Sequence, residues 1–150
     1  MFLFNVRVYG LLINEKEEIL LSDEEHEGVY LTKFPGGGLE YGEGLIDALK
    51  REFLEECNLM VEVTEHLYTT DFFEKSAFNE SQIISIYYLV RPVSELQIHF
   101  SELPFSFEEG SKFRQAFRWK KVSQLQASDV TFLTEKKAIE KLKQKWQYRD

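Results

Sequence analysis

The sequence predicts an α+β fold in which a mixed β-sheet is packed between helices, formed by a single domain over residues 1–150. Stretches rich in Val, Ile, Tyr, Phe and Thr recur early and in the middle of the chain, as expected for strands. One amphipathic helical pattern lies between these stretches, and a second lies near the end of the chain. Because strands and helices do not alternate regularly, a mixed sheet is favoured over a doubly wound parallel sheet. No linker or repeat divides the chain, whose length suits one compact core.

The predicted strands are short segments of β-branched and aromatic residues. The first alternates apolar and other residues, with Phe4, Val6 and Val8 on one side. Arg7 interrupts this apolar start and no small-residue cleavage site follows, so we do not expect a signal peptide. The five predicted strands cover residues 2–13, 18–21, 59–73, 82–91 and 113–122.

Two longer helices are predicted over residues 43–57 and 134–148, with a short helix around residues 123–127. Three consecutive glycines at residues 36–38 form the strongest break in the chain. Two segments rich in aromatic and acidic residues, 74–81 and 101–112, are predicted to be loops. Irregular segments of this length are often functional, although simple surface irregularity explains them equally well.

Composition narrows the class of protein. With 43% hydrophobic and 29% charged residues, the chain is neither disordered nor fibrous. The net charge of -8 argues against nucleic acid as a partner. Residues 112–150 are nevertheless basic, so the last helix could offer an RNA or phosphate surface, although a solvated helix face is the commoner explanation. The single cysteine, Cys57, fits a cytoplasmic location, and no apolar window is long enough for a membrane span. A homodimer is compatible with this composition.

The first predicted helix carries three glutamates on one face. Glu52, Glu55 and Glu56 are separated by steps of three and four residues, beside an apolar stripe that would anchor the helix. Like charges at this spacing repel, and the C-terminal end of a helix disfavours anions further. The predicted apolar stripe consists of Ile46, Leu49, Phe53 and Cys57.

A divalent cation would explain why three carboxylates share this face. Carboxylate oxygens without His or Cys suit hard ions such as Mg²⁺ or Mn²⁺, which also bind phosphate oxygens. From periodicity alone, an ordinary acidic surface helix remains an alternative. The glycine run before the helix fits neither a P-loop nor a dinucleotide-binding fingerprint, because the Gly-Lys-Ser/Thr ending and the spacing are missing.

The spacing of residues 37–59 resembles the Nudix box, a signature of Gly, five residues, Glu, seven residues, Arg-Glu-aliphatic, any residue, Glu-Glu, any residue and Gly-aliphatic. The segment matches at every polar and glycine position of that signature except one. Asn58 replaces the glycine that usually follows the helix, and asparagine is the residue that next best tolerates the left-handed conformation expected there. The matching residues are Gly37, Glu43, Arg51, Glu52, Glu55 and Glu56, with Phe53 and Leu59 at the apolar positions.

The resemblance implies a Nudix fold, an α/β/α sandwich, and a Nudix-type pyrophosphohydrolase. Such an enzyme would use Mg²⁺ or Mn²⁺ to hydrolyse the diphosphate linkage of a nucleoside diphosphate derivative, by attack of water on phosphorus. Arg51 would pair with Glu43 and hold the glutamate helix in place, so that both belong to the catalytic constellation. The implied metal ligands are Glu52, Glu55, Glu56 and the carbonyl of Gly36, with Glu52 and Glu56 also catalytic.

The sequence leaves two features of the site undetermined, the proton acceptor and the acid on the late strand. The proton acceptor could be Glu52 or Glu56, or a loop glutamate as in some relatives, for which Glu108 and Glu109 are candidates. Those two residues could equally be exposed loop acids. Many relatives carry an acid on the late strand where this chain has Gln115, so the site has fewer carboxylates or is completed by the loop.

The substrate is the least determined feature. Candidates are a nucleoside triphosphate, a nucleotide sugar and ADP-ribose. An alternative from another class is a catalytically silent Nudix module that binds a nucleotide as a sensor, although such modules usually lose box glutamates. Phenylalanines near the loops could stack on a base or simply pack in the core, and the three histidines suggest no cluster. The phenylalanines concerned are Phe72, Phe73, Phe78, Phe105 and Phe107.

Overall fold

The computed structural model describes residues 3–109 and 114–147, and within them the chain forms two β-sheets and two α-helices. Residues 2, 110–113 and 148 of the predicted elements lie outside the described residues. None of the helices in the described part is long and apolar enough to cross a membrane. The strands are β1 (Phe4–Leu12), β2 (Glu18–His26), β3 (Val29–Lys33), β4 (Gly36–Gly38), β5 (Val61–Thr69), β6 (Gln82–Pro92) and β7 (Arg114–Lys121), and the helices are α1 (Leu45–Cys57) and α2 (Leu133–Gln147).

The larger sheet has the order β4-β1-β6-β5 and is mixed, as predicted. β1 and β6 run parallel over nine residue pairs, from Phe4 opposite Gln82 to Leu12 opposite Val90. The flanking pairs, β1 with β4 and β5 with β6, are antiparallel. A parallel pair requires a long crossover, and here the crossover contains α1 together with β2 and β3 of the smaller sheet.

Successive residues of β1 face two different cores, which places the helices on opposite sides of the sheet. Val8 and Leu12 pack with Leu49 and Phe53 of α1. Leu11, which alternates with them, packs with the core that contains the buried face of α2. Side chains of a strand alternate between the two faces of its sheet. The α/β/α arrangement predicted from the sequence is therefore confirmed.

The smaller sheet, β3-β2-β7, is antiparallel and is absent from the sequence prediction as a separate unit. The predicted second strand ended at residue 21, but β2 continues through an acidic segment to His26. Those acids are tolerated because they have partners, since Asp23 is fully buried and Arg118 Nε donates to it at 2.8 Å. Thr32 Oγ1 of β3 donates to the same carboxylate at 2.6 Å.

The glycine run predicted as a break forms the short strand β4, which pairs with β1. Gly36 has a φ of 151°, and a Cβ there would lie 2.1 Å from the carbonyl oxygen of Val8. Only glycine permits this close approach of two backbones. The close approach fixes the glycine segment beside β1 immediately before α1.

Helix α1 begins two residues later than predicted and ends at Cys57, as predicted. Its buried face consists of Ala48, Leu49, Phe53 and Cys57, so the inclusion of Ile46 in the apolar stripe was wrong. Ile46 is 44% exposed although the helical spacing places it on the same face as Leu49 and Phe53, because it lies in the first turn, before the buried part of the helix begins at Ala48.

Asn58 ends α1 in the left-handed conformation, with φ 49° and ψ 42°, and its N–H donates to the carbonyl of Leu54 at 3.1 Å. Asn58→Ala is expected to destabilise the protein by about 1 kcal/mol, because alanine tolerates this conformation less well than asparagine. Asn58→Gly should be neutral or slightly stabilising. Chemical denaturation of the three proteins checks this, and equal stability of the alanine and glycine variants would contradict it.

Candidate metal and substrate site

One cavity of about 420 Å³ joins the glutamate helix to the strands and to the loop after β5. It is lined by Glu52 and Glu56 of α1, by the three glycines of β4 and by side chains of β1, β2, β3 and β6. Residues 74–79 of the predicted loop and the first turn of α2 complete its wall. The structure therefore brings together two of the predicted acidic residues with several groups that sequence analysis did not single out.

Glu52 and Glu56 lie at the glycine segment, as the Nudix-box resemblance implies. A Cβ at Gly37 would lie 2.6 Å from the Glu52 carboxyl carbon, so the absence of a side chain at Gly37 creates the space that this carboxylate occupies. The N–H of Gly36 donates to Glu56 Oε2 at 3.0 Å. Burial raises the pKa of Glu56 to about 7, and the Glu24 carboxylate adds to this effect while Lys33 opposes it.

Arg51 connects the loop before α1 to the helix itself. Its Nε and Nη2 atoms donate to the two carboxylate oxygens of Glu43 at 2.9 and 2.6 Å. It also donates to Glu52 Oε1 at 3.0 Å and to the carbonyl of Gly38 at 3.0 Å. The hydrogen bonds from Arg51 hold the pKa of Glu43 below its usual value. Arg51 and Glu43 are therefore paired in the structure, and their part in the catalytic constellation stays a prediction.

Glu55 does not face the cavity in this structure. Its side chain is 60% exposed, and Arg51 Nη1 donates to its Oε2 at 3.2 Å. Among residues 3–109 and 114–147, no group of three or more His, Cys, Asp or Glu side chains is arranged as a complete metal site. Glu55 therefore stays a predicted metal ligand. To bind the cation, its carboxylate would have to give up the hydrogen bond from Arg51.

The donors that are in place fit a hard divalent cation. Glu52 and Glu56 supply carboxylate oxygens at the same cavity, and the glycine segment supplies backbone atoms beside them. Oxygen donors of this kind suit Mg²⁺ or Mn²⁺, whereas His and Cys donors would favour zinc. The space beside Gly37, which a Cβ would fill, leaves the Glu52 carboxylate room next to the backbone.

Two cationic side chains, Arg7 and Lys33, line the same cavity. Burial opposes the charged form of Lys33, but neighbours that include Tyr9 and Glu24 outweigh it, so its pKa is raised. The pKa of Arg7 is also raised, although its burial acts in the opposite direction. Arg7 Nε donates to the hydroxyl of Tyr9 at 2.6 Å, and Lys33 Nζ lies 5.5 Å from the Tyr9 ring centre. Both cations are therefore present next to the carboxylates, in a chain whose net charge is negative.

Glu24 is a buried acid that contacts Lys33, Ser22 and His26, and sequence analysis missed it. Lys33 Nζ lies 3.4 Å from its Oε2, Ser22 Oγ donates to the same oxygen at 2.8 Å, and His26 Nε2 lies 2.8 Å from its Oε1. Ser22, Glu24 and His26 alternate along β2, so an extended second strand would have placed them on one face. His26, which the sequence grouped with ordinary histidines, thus lies at the cavity.

Gln115 replaces the expected late-strand acid and links two carboxylates. Its Nε2 donates to Ser22 Oγ at 2.9 Å, to Glu24 Oε2 at 3.3 Å and to Glu56 Oε1 at 3.3 Å. Glu108 lines a different, smaller depression of about 230 Å³ together with Gln115, and Glu109 is exposed next to it in the chain. The structure therefore does not bring Glu108 or Glu109 into the cavity of Glu52 and Glu56.

The aromatic candidates separate into two groups. Phe78 lines the cavity, with its ring edge-on to His26 at 5.7 Å between ring centres. Phe105 and Phe107 instead pack with Tyr30 on the smaller sheet. Phe72 and Phe73 are not among the lining residues of the cavity. Among these five phenylalanines, only Phe78 is therefore placed to contact a ligand in the cavity.

A second buried acid, Glu135 in the first turn of α2, also lines the cavity. Its Oε2 accepts a hydrogen bond from the N–H of Phe34 at 3.1 Å. Burial raises the pKa of Glu135 from 4.5 to about 8, although the Phe34 N–H and Lys33 act in the opposite direction. The sequence conceals this residue because it begins a helix that is otherwise rich in exposed lysine.

Glu135 should make the stability of the metal-free protein depend on pH. Its folded-state pKa lies above the usual value, so the native protein binds an additional proton between about pH 4.5 and 8. This proton stabilises the native protein at low pH. The free energy of unfolding therefore falls as the pH rises through this window. Relative to Glu135→Gln, the wild type should lose about 1 kcal/mol or more between pH 5 and 8 in denaturation experiments with a chelator. Parallel stability curves for the two proteins would contradict the assignment.

Comparison with solved structures shows the class of fold. The chain has a TM-score of 0.73 to the ORF135 protein of E. coli, at 17% identity, covering 97% of this chain and 93% of that one. A NUDIX hydrolase from Nitrosomonas europaea gives 0.70 at 19% identity, covering 94% and 89%. An ADP-ribose pyrophosphatase from Streptococcus suis gives 0.61 at 19% identity, covering 97% and 93%. The class is thus that of Nudix-fold proteins. No match was found among curated proteins.

The family follows from the sequence itself, because the family model of the NUDIX domain matches residues 3–142. The chain belongs to the Nudix family. The resemblance, the fold and the enzyme class predicted from the sequence, a Nudix-type pyrophosphohydrolase, are therefore confirmed. Nudix enzymes generally use divalent metals.

Proposed function

We propose that the protein hydrolyses the diphosphate linkage of a nucleoside diphosphate derivative, with Mg²⁺ or Mn²⁺ as cofactor and water as nucleophile. The observation that carries the proposal is that Glu52 and Glu56 share one cavity with Arg7 and Lys33. Carboxylates that hold a cation and basic side chains that meet anions are together complementary to a diphosphate. A cavity of about 420 Å³ is within the range that holds a small-molecule ligand.

Different residues of the chain would bind the cation and the phosphate oxygens. Glu52, Glu56 and the Gly36 carbonyl would hold the cation, which when bound neutralises phosphate oxygens and lowers the pKa of water. Arg7 and Lys33 would bind phosphate oxygens that the cation does not reach. Both side chains already carry positive charge in the cavity. The site therefore needs little reorganisation when negative charge builds up on the phosphate oxygens in the transition state.

The positions of the side chains support the remaining assignments. Arg51 and Glu43 would keep the glycine segment and α1 in register, through their paired hydrogen bonds. Glu52 or Glu56 is favoured as proton acceptor, because Glu108 lines a separate depression and Glu109 is exposed beside it. Glu55 would join the ligands after Arg51 releases it.

Nucleoside triphosphates, nucleotide sugars and ADP-ribose remain the substrate candidates. The similarity to a solved ADP-ribose pyrophosphatase supports inclusion of ADP-ribose. Nucleic acid is disfavoured further by α2, where Lys136 Nζ donates to the carbonyls of Ala127 and Val130, and Lys145 pairs with Glu65 at 2.7 Å. A single domain, a cytoplasmic location and the capacity to form a homodimer stay predictions.

A substrate panel tests the proposal. Purified protein should release two phosphate-bearing products from at least one nucleoside triphosphate, nucleotide sugar, ADP-ribose or dinucleoside polyphosphate. The reaction should require Mg²⁺ or Mn²⁺ and stop when a chelator is added. If every compound stays intact with either metal while a nucleotide binds, the protein is a sensor module and the proposal fails.

A further inference from the structure

Tyr9 of β1 is a buried tyrosine that contacts both cationic side chains of the cavity. Arg7 Nε donates a hydrogen bond to the Tyr9 hydroxyl at 2.6 Å, and the central guanidinium carbon of Arg7 lies 5.7 Å from the centre of the Tyr9 ring. Lys33 Nζ of β3 lies 5.5 Å from the same ring centre. Tyr9 therefore connects the two residues to which the proposed function assigns the phosphate oxygens.

The contacts with Tyr9 favour the charged forms of Arg7 and Lys33. Burial disfavours both charges, and the Arg7 charge further disfavours that of Lys33. Tyr9 and the carboxylates of the cavity act in the opposite direction, so the pKa of each cation is raised. A phenol oxygen accepts a hydrogen bond from a cation, and the face of an aromatic ring attracts a cation within about 6 Å. Tyr9 thus helps two like charges to share one cavity.

The glycine strand β4 leaves room for Arg7 and Tyr9 beside the predicted metal site. In the pairing of β1 with β4, Arg7 lies opposite Gly38 and Tyr9 lies opposite Gly36. A Cβ at Gly36 would lie 2.8 Å from Cδ1 of the Tyr9 ring, and a Cβ at Gly38 would lie 3.7 Å from Arg7 Nη1. Tyr9 is therefore packed against the segment that contains the predicted carbonyl ligand at Gly36.

Packing alone does not require the Tyr9 hydroxyl. The Tyr9 ring stacks on the ring of Tyr87, with the centres 5.3 Å apart, and a phenylalanine would keep that stack. Tyr68 also stacks on Tyr87, at 6.3 Å, but its hydroxyl donates to Asp71 at 2.9 Å and it is not among the lining residues of the cavity. Tyr9 and Tyr68 thus have similar packing and differ in the partner of the hydroxyl.

We propose that Tyr9 is a positioning residue for phosphate binding, in which its hydroxyl orients Arg7 and its ring holds Lys33, so that the two cations bind the diphosphate together. This inference rests on the proposed function, from which the roles of Arg7 and Lys33 are taken. A hydrogen bond at Nε fixes the plane of the Arg7 guanidinium and does not use the two Nη groups. Those groups are donors that can pair with phosphate oxygens.

Three variants separate the hydroxyl, the ring and the packing. Tyr9→Phe removes the acceptor for Arg7 and keeps the ring beside Lys33. Tyr9→Leu removes the ring as well. Tyr68→Phe is the matched control, because it removes a tyrosine hydroxyl from the same stack without a contact to either cation.

Binding of methylenediphosphonate in the presence of Mg²⁺, measured by calorimetry, tests the positioning directly. This probe resembles a diphosphate, carries no base and is not hydrolysed. Tyr9→Phe should weaken binding by about fivefold or more, as expected for loss of a hydrogen bond that orients a charged group. Tyr9→Leu should weaken it by about tenfold or more, because the contact with Lys33 is lost too. Tyr68→Phe should stay within about twofold of the wild type.

The kinetic effect should have a matching form on the substrate that the panel selects. Tyr9→Phe should raise KM by about fivefold and change kcat by less than about threefold, because the cations bind the phosphates before and during the reaction. In an Arg7→Met background, Tyr9→Phe should weaken probe binding by less than about twofold further, since the residue through which the hydroxyl acts is gone. A merely structural role of Tyr9 would give the same factor in both backgrounds.

The outcomes distinguish this inference from the proposed function. If no substrate is hydrolysed but Tyr9→Phe binds methylenediphosphonate more weakly than Tyr68→Phe, the proposed function fails and the role of Tyr9 is supported. If the wild type hydrolyses a substrate and Tyr9→Phe matches it in KM and in probe binding, the role of Tyr9 alone is overturned. An equal loss in Tyr68→Phe, or an undiminished effect in the Arg7→Met background, overturns it as well. Tyr9→Phe decides if Tyr9→Leu fails to fold.

Discussion

Glu56→Gln is expected to lower kcat/KM by about 10³-fold or more on the preferred substrate and to weaken Mn²⁺ binding measured by calorimetry. The side chain keeps its size, and its hydrogen bond from the Gly36 N–H can persist. The variant loses the negative charge that a divalent cation needs. Burial already disfavours the charged form of Glu56, so removal of that charge should not destabilise the metal-free protein.

Asp47→Asn is the matched control for this variant, because Asp47 is an exposed acid in the first turn of the same helix. It should retain wild-type turnover and Mn²⁺ affinity. If Glu56→Gln stays within tenfold of the wild type and binds Mn²⁺ equally well, Glu56 is not a metal ligand. A variant that loses activity together with its thermal transition would indicate misfolding, which circular dichroism detects.

Gly36→Ala is expected to destabilise the fold by about 2–5 kcal/mol, which lowers the melting temperature by about 5–15 °C. The new Cβ would lie 2.1 Å from the Val8 carbonyl oxygen and 2.7 Å from the Tyr9 Cα, and both are backbone atoms that cannot rotate away. The positive φ of 151° adds strain for any side chain. Differential scanning calorimetry of the purified variant measures the effect.

Gly42→Ala separates the two causes, because Gly42 also has a positive φ, of 99°, but within the described residues nothing lies within 4 Å of the position that a Cβ would take there. The Gly42→Ala variant should lose only about 1 kcal/mol of its free energy of unfolding, which is the cost of the backbone strain. A loss for Gly36→Ala no larger than that for Gly42→Ala would show that β1 can move away from β4. The close packing of the two strands would then not be required.

The acidic part of the site could be predicted from the sequence because it depends on residues that are close together in the chain. Residues three and four apart on a helix must share a face, so Glu52 and Glu56 could be placed together without knowledge of the fold. The pairing of Arg51 with Glu43 was available from the signature alone. Asn58 could be assigned to a left-handed helix end because few residues tolerate that backbone conformation.

The remainder of the cavity depends on contacts between distant segments. Lys33 and Glu24 meet because β2 and β3 pair, and β3 was not predicted. The acidic end of β2 looks like a loop in the sequence, since its charges are compensated by residues of β7 and β3. Local patterns cannot reveal such compensation. For the same reason, nothing in the sequence separated Glu135 from its solvated neighbours.

The parallel pairing of β1 with β6 constrains how the chain can fold as it is synthesised. Phe4 has no partner strand on that side until Gln82 has been made, and Leu12 none until Val90 has been made. Closing a loop of nearly 80 residues is entropically costly and slow. Helix α1 can form earlier, but the sheet on which it packs is complete only after more than half of the chain has left the ribosome. We therefore expect a nascent chain that ends before β6 to leave the apolar face of α1 exposed and to depend on chaperones.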